Sequence, residues 1–179
     1  SPHALRALFK HPFATTGLTR AEFTHLANLF EEQILRGPLS KKNWESWTLL
    51  VAQTPELKGF WQNRLLPAFA PLRDAFRAIN PSLNTLTIAL MQTAQNLGKL
   101  PENKAASGSE TNDTQSDTSL HIYSDEAGKV LLEFLSDMIR FGSNYPIAAS
   151  EFHYTFSALC QEAVVRTPYN QHPRLKILG

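Results

Sequence analysis

Apolar side chains recur every three or four residues along most of this chain, which is the spacing of one face of an α-helix. The clearest stripe consists of Phe23, Leu26, Ala27, Phe30 and Ile34. Thr19 and Glu22 precede it with the spacing of a capping box, in which each side chain accepts a hydrogen bond from the other residue's amide. Gly37 and Pro38 follow the stripe and predict its end, because neither residue continues a helix well.

Four further start signals precede apolar residues at helical spacing. They are Thr54-Pro55, Asn80-Pro81, Ser124-Asp125-Glu126 and Tyr145-Pro146. Each combines a residue that caps helices or introduces a turn with a proline or an acidic residue in the first turn. Pro67 and Pro71 fall within the second of the predicted helices, where they predict a break or a kink.

Strand patterns are confined to the end of the chain. Residues 163–166 are rich in valine, and residues 174–178 alternate polar and apolar side chains. One or two short terminal strands beside roughly six or seven helices predict a mostly α fold, an irregular multi-helix domain with antiparallel neighbours.

The chain has 179 residues and a formal net charge of +1, but its charges are unevenly distributed. Residues 1–100 carry 11 basic and 6 acidic side chains, whereas residues 101–138 carry 2 basic and 8 acidic ones. Residues 101–119 contain no Leu, Ile, Val, Phe, Trp or Tyr. They predict a flexible acidic loop, because such a segment cannot offset its ordering entropy by burial.

Composition excludes several classes of protein. A near-neutral charge is unlike that of a histone-like or polybasic nucleic-acid binder. Cys160 is the one cysteine, so an intramolecular disulfide framework is impossible. The start of the chain does not resemble a signal peptide, and no apolar run approaches the length of a membrane span. These features predict a cytoplasmic protein that does not act in a membrane.

Catalytic signatures are scarce. The sequence contains no Walker A motif, no dinucleotide-binding glycine pattern and no nucleophile elbow. His153 and Cys160 share one predicted helix face, but Cys160 lies among apolar residues, where a buried structural cysteine is the better interpretation. Asp125 and Glu126 are better explained as charges at a helix N-terminus than as metal ligands. We therefore expect no catalytic, cofactor-binding or metal-binding residue in this chain.

Five basic side chains are the candidates for contact with DNA phosphates. They are Lys41, Lys42, Arg64, Arg73 and Arg77. The two lysines adjoin Trp44 and Trp47, and cations beside aromatic rings can bind single strands by stacking. Tryptophans at this spacing also fit a helix face that packs into a core, which we favour, and the arginines also fit a solvated helix face.

Both ends of the chain resemble AddB, the second subunit of the AddAB-type helicase–nuclease of double-strand break repair, in its alphaproteobacterial form. The matching stretches are residues 5–14 (LRALFKHPFA), 17–22 (GLTRAE), 35–38 (LRGP) and, most specifically, 165–179 (VRTPYNQHPRLKILG). Residues 125–128 and 144–146 match weakly, and residues 40–120 match only by position and helical character.

The resemblance implies a place in a larger protein. UvrD-like helicases carry a helical accessory subdomain, called 2B, inserted into the second RecA-like motor domain. Residues 1–100 would form its basic helical part, 101–119 its acidic loop and 120–171 its last helices. Residues 172–179 would begin a strand of a RecA-like domain that is missing here.

The resemblance also implies an activity for the parent protein, an ATP-dependent helicase and exonuclease subunit. The implied partners are DNA and an AddA-type motor subunit, and the family's ATP/Mg site and iron–sulfur cluster lie in other parts of the protein. This chain would be a non-catalytic domain that guides DNA or docks the partner subunit in recombination. The alternative is a freestanding helical adaptor that binds another protein through an apolar groove.

Overall fold

The structure, a computed structural model, describes residues 2–36, 44–101, 123 and 125–162. Eight α-helices account for most of these residues. They are α1 (Pro2–Lys10), α2 (Arg20–Phe30), α3 (Trp44–Ala52), α4 (Pro55–Phe60), α5 (Leu66–Arg77), α6 (Leu83–Leu97), α7 (Glu126–Phe141) and α8 (Ala149–Glu162). Within the described ranges the β structure is one isolated bridge, between Ser82 and Pro146. The predicted mostly α fold is therefore confirmed.

Several predicted features fall outside the described residues. They are the helix stop at Gly37 and Pro38, the candidates Lys41 and Lys42, residues 102–119 of the acidic loop, and the strands at residues 163–166 and 174–178.

Three of the predicted helix starts are formed as the sequence indicates. Helix α4 begins at Pro55, directly after Thr54. At α2 the Thr19 amide donates to Glu22 Oε2 over 3.0 Å, and the Glu22 amide donates to Thr19 Oγ1 over 3.3 Å, which completes the capping box. At α7 the Asp125 side chain accepts a hydrogen bond from the Gly128 amide.

Two predictions about element boundaries were wrong. Helix α6 begins after Ser82, whose Oγ accepts from the Thr85 amide, and not at Asn80, which lies in the left-handed region with φ 53°. Pro67 and Pro71 do not break their helix, whereas a kink at these prolines stays a prediction. A π-helical turn, Trp61–Leu65, joins α4 to α5, and α5 continues through both prolines. After Pro71 the Leu72 amide donates to the Thr93 hydroxyl of α6, so packing against α6 supports the chain there.

The first half of the chain surrounds an aromatic core, which we call the first core. It is built from α1 to α4 with the two π-helical turns, the second being Glu31–Leu35 after α2. The Trp61 ring stacks on Phe30 with centroids 5.3 Å apart. Trp47 is buried and Trp44 packs against the same cluster, so the interpretation of these tryptophans as core residues is confirmed.

The second half of the chain has a smaller core, which we call the second core. It consists of two adjoining clusters: Ala75, Leu86, Ala89 and Phe152 form one, and Tyr123, Leu135 and Met138 form the other. Helix α6 lies at its centre and packs against both α5 and α7. Phe156 of α8 contacts both clusters, so they act as one packing unit.

A shielded carboxylate joins α1 to the turn after α2. Glu31 Oε1 lies 2.8 Å from Arg6 Nη2 and 2.8 Å from Arg36 Nη2, and it also accepts from Arg36 Nε. The hydrogen bonds from Arg36, helped by Arg6, hold the pKa of Glu31 below its ordinary value of 4.5, although desolvation acts in the opposite direction.

We expect the Glu31 carboxylate to contribute to the loss of folding stability at low pH. A carboxylate with a lowered pKa in the folded protein stabilises the fold fully above the ordinary pKa of 4.5, and this contribution is lost as the pH falls through the lowered value. Denaturation of the wild type and of Glu31→Gln between pH 7 and pH 3 should therefore show a smaller decline for the variant. The neighbouring exposed residue supplies the control, because Glu32→Gln should keep the wild-type decline. Parallel curves for wild type and Glu31→Gln would contradict this role.

Candidate functional site

An apolar groove with a volume of about 570 Å³ lies between the first and second cores. The end of α1 and the loop after it form one wall, α5 and α6 form the floor, and α7 and α8 form the other wall. Its lining includes Phe13, Phe69, Leu90, Leu97, Leu131 and Phe156. Among the described residues, no Asp, Glu, Lys or Arg lines it. A cavity of this size and character is typical of a binding site for an apolar ligand or segment.

The sequence of α6 explains why the groove is apolar. Leu83–Leu97 contains no charged side chain in fifteen residues. Leu86, Leu90 and Leu97 lie on one stripe of α6: Leu86 packs in the second core, Leu90 packs against that core and also lines the groove, and Leu97 lines the groove farther along the helix. At the rim, Phe13 is 45% and Leu131 is 39% exposed, so the groove opens to solvent. Exposed apolar surface of this kind marks sites of protein docking.

The loop after α1 is fastened to the C-terminal end of α6. The amides of Thr15 and Thr16 both donate to the Leu97 carbonyl over 2.9 Å, and the Gly17 amide donates to the Lys99 carbonyl over 2.7 Å. The Thr15 hydroxyl adds a fourth bond, to Lys99 O, over 2.7 Å. These contacts connect the wall formed by the loop to the end of the floor formed by α6.

The same loop holds Thr16 in an unfavourable state. Its φ of 49° lies in the left-handed region, which a β-branched residue rarely adopts, at a typical cost of about 1–3 kcal/mol. Its side chain is buried, and Oγ1 has no hydrogen-bond partner among the described residues. A buried hydroxyl without a partner costs about 1–3 kcal/mol. The four bonds to the carbonyls of Leu97 and Lys99 therefore hold a strained residue in place.

The predicted DNA-contacting arginines all have partners within the protein. Arg64 Nη1 donates to the Thr16 carbonyl over 3.3 Å and so supports the loop. Arg73 Nε pairs with Asp74 over 3.0 Å, and Arg77 Nη2 lies 3.5 Å from Glu45. Arg73 and Arg77 are one helical turn apart on α5, whereas Arg64 lies in the π-helical turn before it. Contact with DNA at Arg64, Arg73 and Arg77 stays a prediction.

The His153 and Cys160 pair is not arranged for catalysis. Seven residues of helix separate the two by about 10 Å along α8, too far for a hydrogen bond. His153 is exposed, and its ring lies beside Tyr154. Cys160 is half-buried, and burial raises the pKa of its thiol, which lowers the fraction of reactive thiolate.

The groove was missed at the level of sequence, although one signal for it was present. Helix α6 is too apolar to pack on one side only, and an uncharged helix of this length predicts burial on more than one face. The three segments that complete the groove, around Phe13, Leu131 and Phe156, are far apart in sequence. No local pattern indicates that they meet.

The described residues contain no group of three or more His, Cys, Asp or Glu side chains placed to hold a metal ion. Among the same residues, no helix has the length and apolar character required to cross a bilayer. No protein-family model, no curated protein and no solved structure matches this chain.

Proposed function

We propose that this chain is a non-catalytic helical accessory domain of an AddB-type helicase–nuclease subunit, acting in the cytoplasm in double-strand break repair and homologous recombination. The resemblance of residues 5–14 and 165–179 to that family supports the proposal, as does the helical architecture, which suits a 2B-like insertion. Of the two roles open to such a domain, guiding DNA and docking the partner subunit, we propose docking as the principal one. The ATP/Mg site and iron–sulfur cluster of the parent protein belong to its other domains.

The apolar groove is the observation that carries the docking role. A groove whose described lining residues include no Asp, Glu, Lys or Arg suits the apolar face of an amphipathic helix, which inserts side chains at positions i, i+3, i+4 and i+7. We propose that the AddA-type motor subunit supplies this helix. The DNA-guiding role receives less support from the geometry, because Arg64, Arg73 and Arg77 are engaged with groups of the protein itself.

A matched pair of substitutions tests the docking role. Leu131 lines the groove and is 39% exposed, whereas Ile88 is 36% exposed on α6 and does not line it. In the complete subunit, Leu131→Asp should weaken binding of the AddA-type subunit about 10- to 100-fold, since it removes one buried leucine contact and introduces a charge. Ile88→Asp should change the affinity by less than about twofold.

Biolayer interferometry with the purified AddA-type subunit measures this difference, and circular dichroism verifies that both variants fold. Equal affinities for the two variants would exclude the groove as the docking surface. The DNA-guiding role would instead be favoured if DNA crosslinks to Arg73 and Arg77 in the intact complex and Leu131→Asp leaves binding of the AddA-type subunit unchanged.

A freestanding helical adaptor is the second candidate function, and the same groove supports it. The two candidates differ in genomic context. A reading frame that continues beyond Gly179 into a strand and a nuclease domain favours the AddB-type subunit, whereas a stop codon at that point favours the adaptor.

A further inference from the structure

We propose that the loop of residues 14–18 is a releasable latch on the end of α6, and that it controls how far the groove opens. Below, this loop is called the latch. This proposal rests on the docking function proposed above, because the latch would control access to the docking groove. It concerns a movement within this chain, so it can be tested without any partner.

The position of the latch couples it to one wall of the groove and to the end of the floor. Phe13 and Ala14 line the groove and lead directly into the latch. Leu97 and Gly98 also line the groove and lead directly into Lys99, to which the latch is bonded. Release of these hydrogen bonds would free the wall carrying Phe13 from the end of α6, and the groove would widen at that end.

The arrangement of the two cores permits such a movement. The buried residues of the first core end at Leu65 in sequence, and those of the second core begin at Ala75. Within the described residues the chain crosses between the cores once, through α5. Pro71 lies at this crossing and interrupts the regular hydrogen bonding of the helix, which makes the crossing a suitable hinge.

The state of Thr16 opposes the hydrogen bonds that hold the latch in place. When the latch is docked, four hydrogen bonds to Leu97 and Lys99 are gained, but Thr16 keeps a left-handed backbone and a buried hydroxyl without a partner among the described residues. Release loses the four bonds, relaxes the backbone and exposes the hydroxyl to water. Opposed contributions of this kind make a switch that ligands can shift.

Two substitutions should move the latch in opposite directions. Thr15→Val keeps the shape of the side chain but removes the hydroxyl bond to the Lys99 carbonyl, so it should favour release. Thr16→Gly removes the unpaired hydroxyl and tolerates a φ of 49°, so it should favour docking. The rate of hydrogen exchange at the Gly17 amide measures release of the latch in either variant, because this amide donates to the Lys99 carbonyl and is present in both.

We expect the Gly17 amide to exchange about three- to tenfold faster in Thr15→Val and slower than wild type in Thr16→Gly. The Val51 amide, in the first core, should exchange at an unchanged rate in both variants. Parallel changes at Gly17 and Val51 would show global unfolding and overturn the latch. A Thr16→Gly variant with faster exchange at Gly17 would overturn the proposed role of Thr16.

Binding of the fluorescent probe 8-anilinonaphthalene-1-sulfonate connects the latch to the groove. Thr15→Val should bind the probe more strongly and Thr16→Gly more weakly than wild type. Leu131→Asp should abolish the difference between them, whereas Ile88→Asp should preserve it. If Thr15→Val and Thr16→Gly bind the probe as strongly as wild type, the proposed control of the groove by the latch is overturned. If the latch variants respond as expected but the AddA-type subunit does not bind at the groove, the docking function is contradicted and the latch is not.

Discussion

Replacing Trp61 with alanine is expected to lower the free energy of unfolding by about 3–5 kcal/mol, the typical cost of removing a buried aromatic side chain. Trp61 is 0% exposed, and its ring contacts Phe30, Trp44 and Trp47. Its indole N–H also donates to the Thr48 hydroxyl over 3.0 Å. The substitution would therefore leave a large cavity in the middle of the first core.

Urea denaturation followed by far-UV circular dichroism measures this loss without depending on tryptophan fluorescence. Tyr154→Ala is the control, since Tyr154 is an aromatic residue that is 75% exposed. It should change stability by less than about 0.5 kcal/mol. A Trp61→Ala protein as stable as the Tyr154→Ala protein would show that the first core is not packed as described.

Replacing Gly128 with alanine is expected to destabilise the protein by about 1–3 kcal/mol, although alanine is the better helix former. Gly128 lies in the first turn of α7, directly against the backbone of Tyr123. A Cβ atom there would lie 2.5 Å from the Tyr123 Cα and 2.7 Å from its carbonyl carbon. Since both contacts are with backbone atoms, the strain cannot be relieved by turning a side chain.

Gly59 in α4 provides a matched control of opposite sign. A Cβ atom at Gly59 would meet nothing within 4 Å. Gly59→Ala should therefore stabilise the protein by about 0.5–1 kcal/mol, which is the difference in helix propensity. Thermal and urea unfolding of the two variants compare them directly. Stabilisation of both would mean that α7 does not approach Tyr123 as closely as described.

The helical fold could be predicted from the sequence because its causes are local. The stripe from Phe23 to Ile34 follows from the 3.6-residue period, and the start of α2 follows from hydrogen bonds between residues three apart, Thr19 and Glu22. The core positions of Trp44 and Trp47 follow from their spacing on one face. Where such local signals competed, as at Asn80 and Pro71, the predicted boundary was wrong, because packing against α6 and the Ser82 cap decided the outcome.

The candidate site could not be predicted in this way. The sequence by itself determined that the fold is mostly helical, where α2, α4 and α7 begin, that α6 is uncharged and that no recognised catalytic motif is present. Only the tertiary structure decided that Phe13, Leu97 and Leu131 share a groove, that Arg64 supports Thr16, and that residues 14–18 dock on the end of α6. The physical reason is separation along the chain: hydrogen bonds such as Thr15 to Lys99 join residues 84 apart, and no local propensity encodes such a contact.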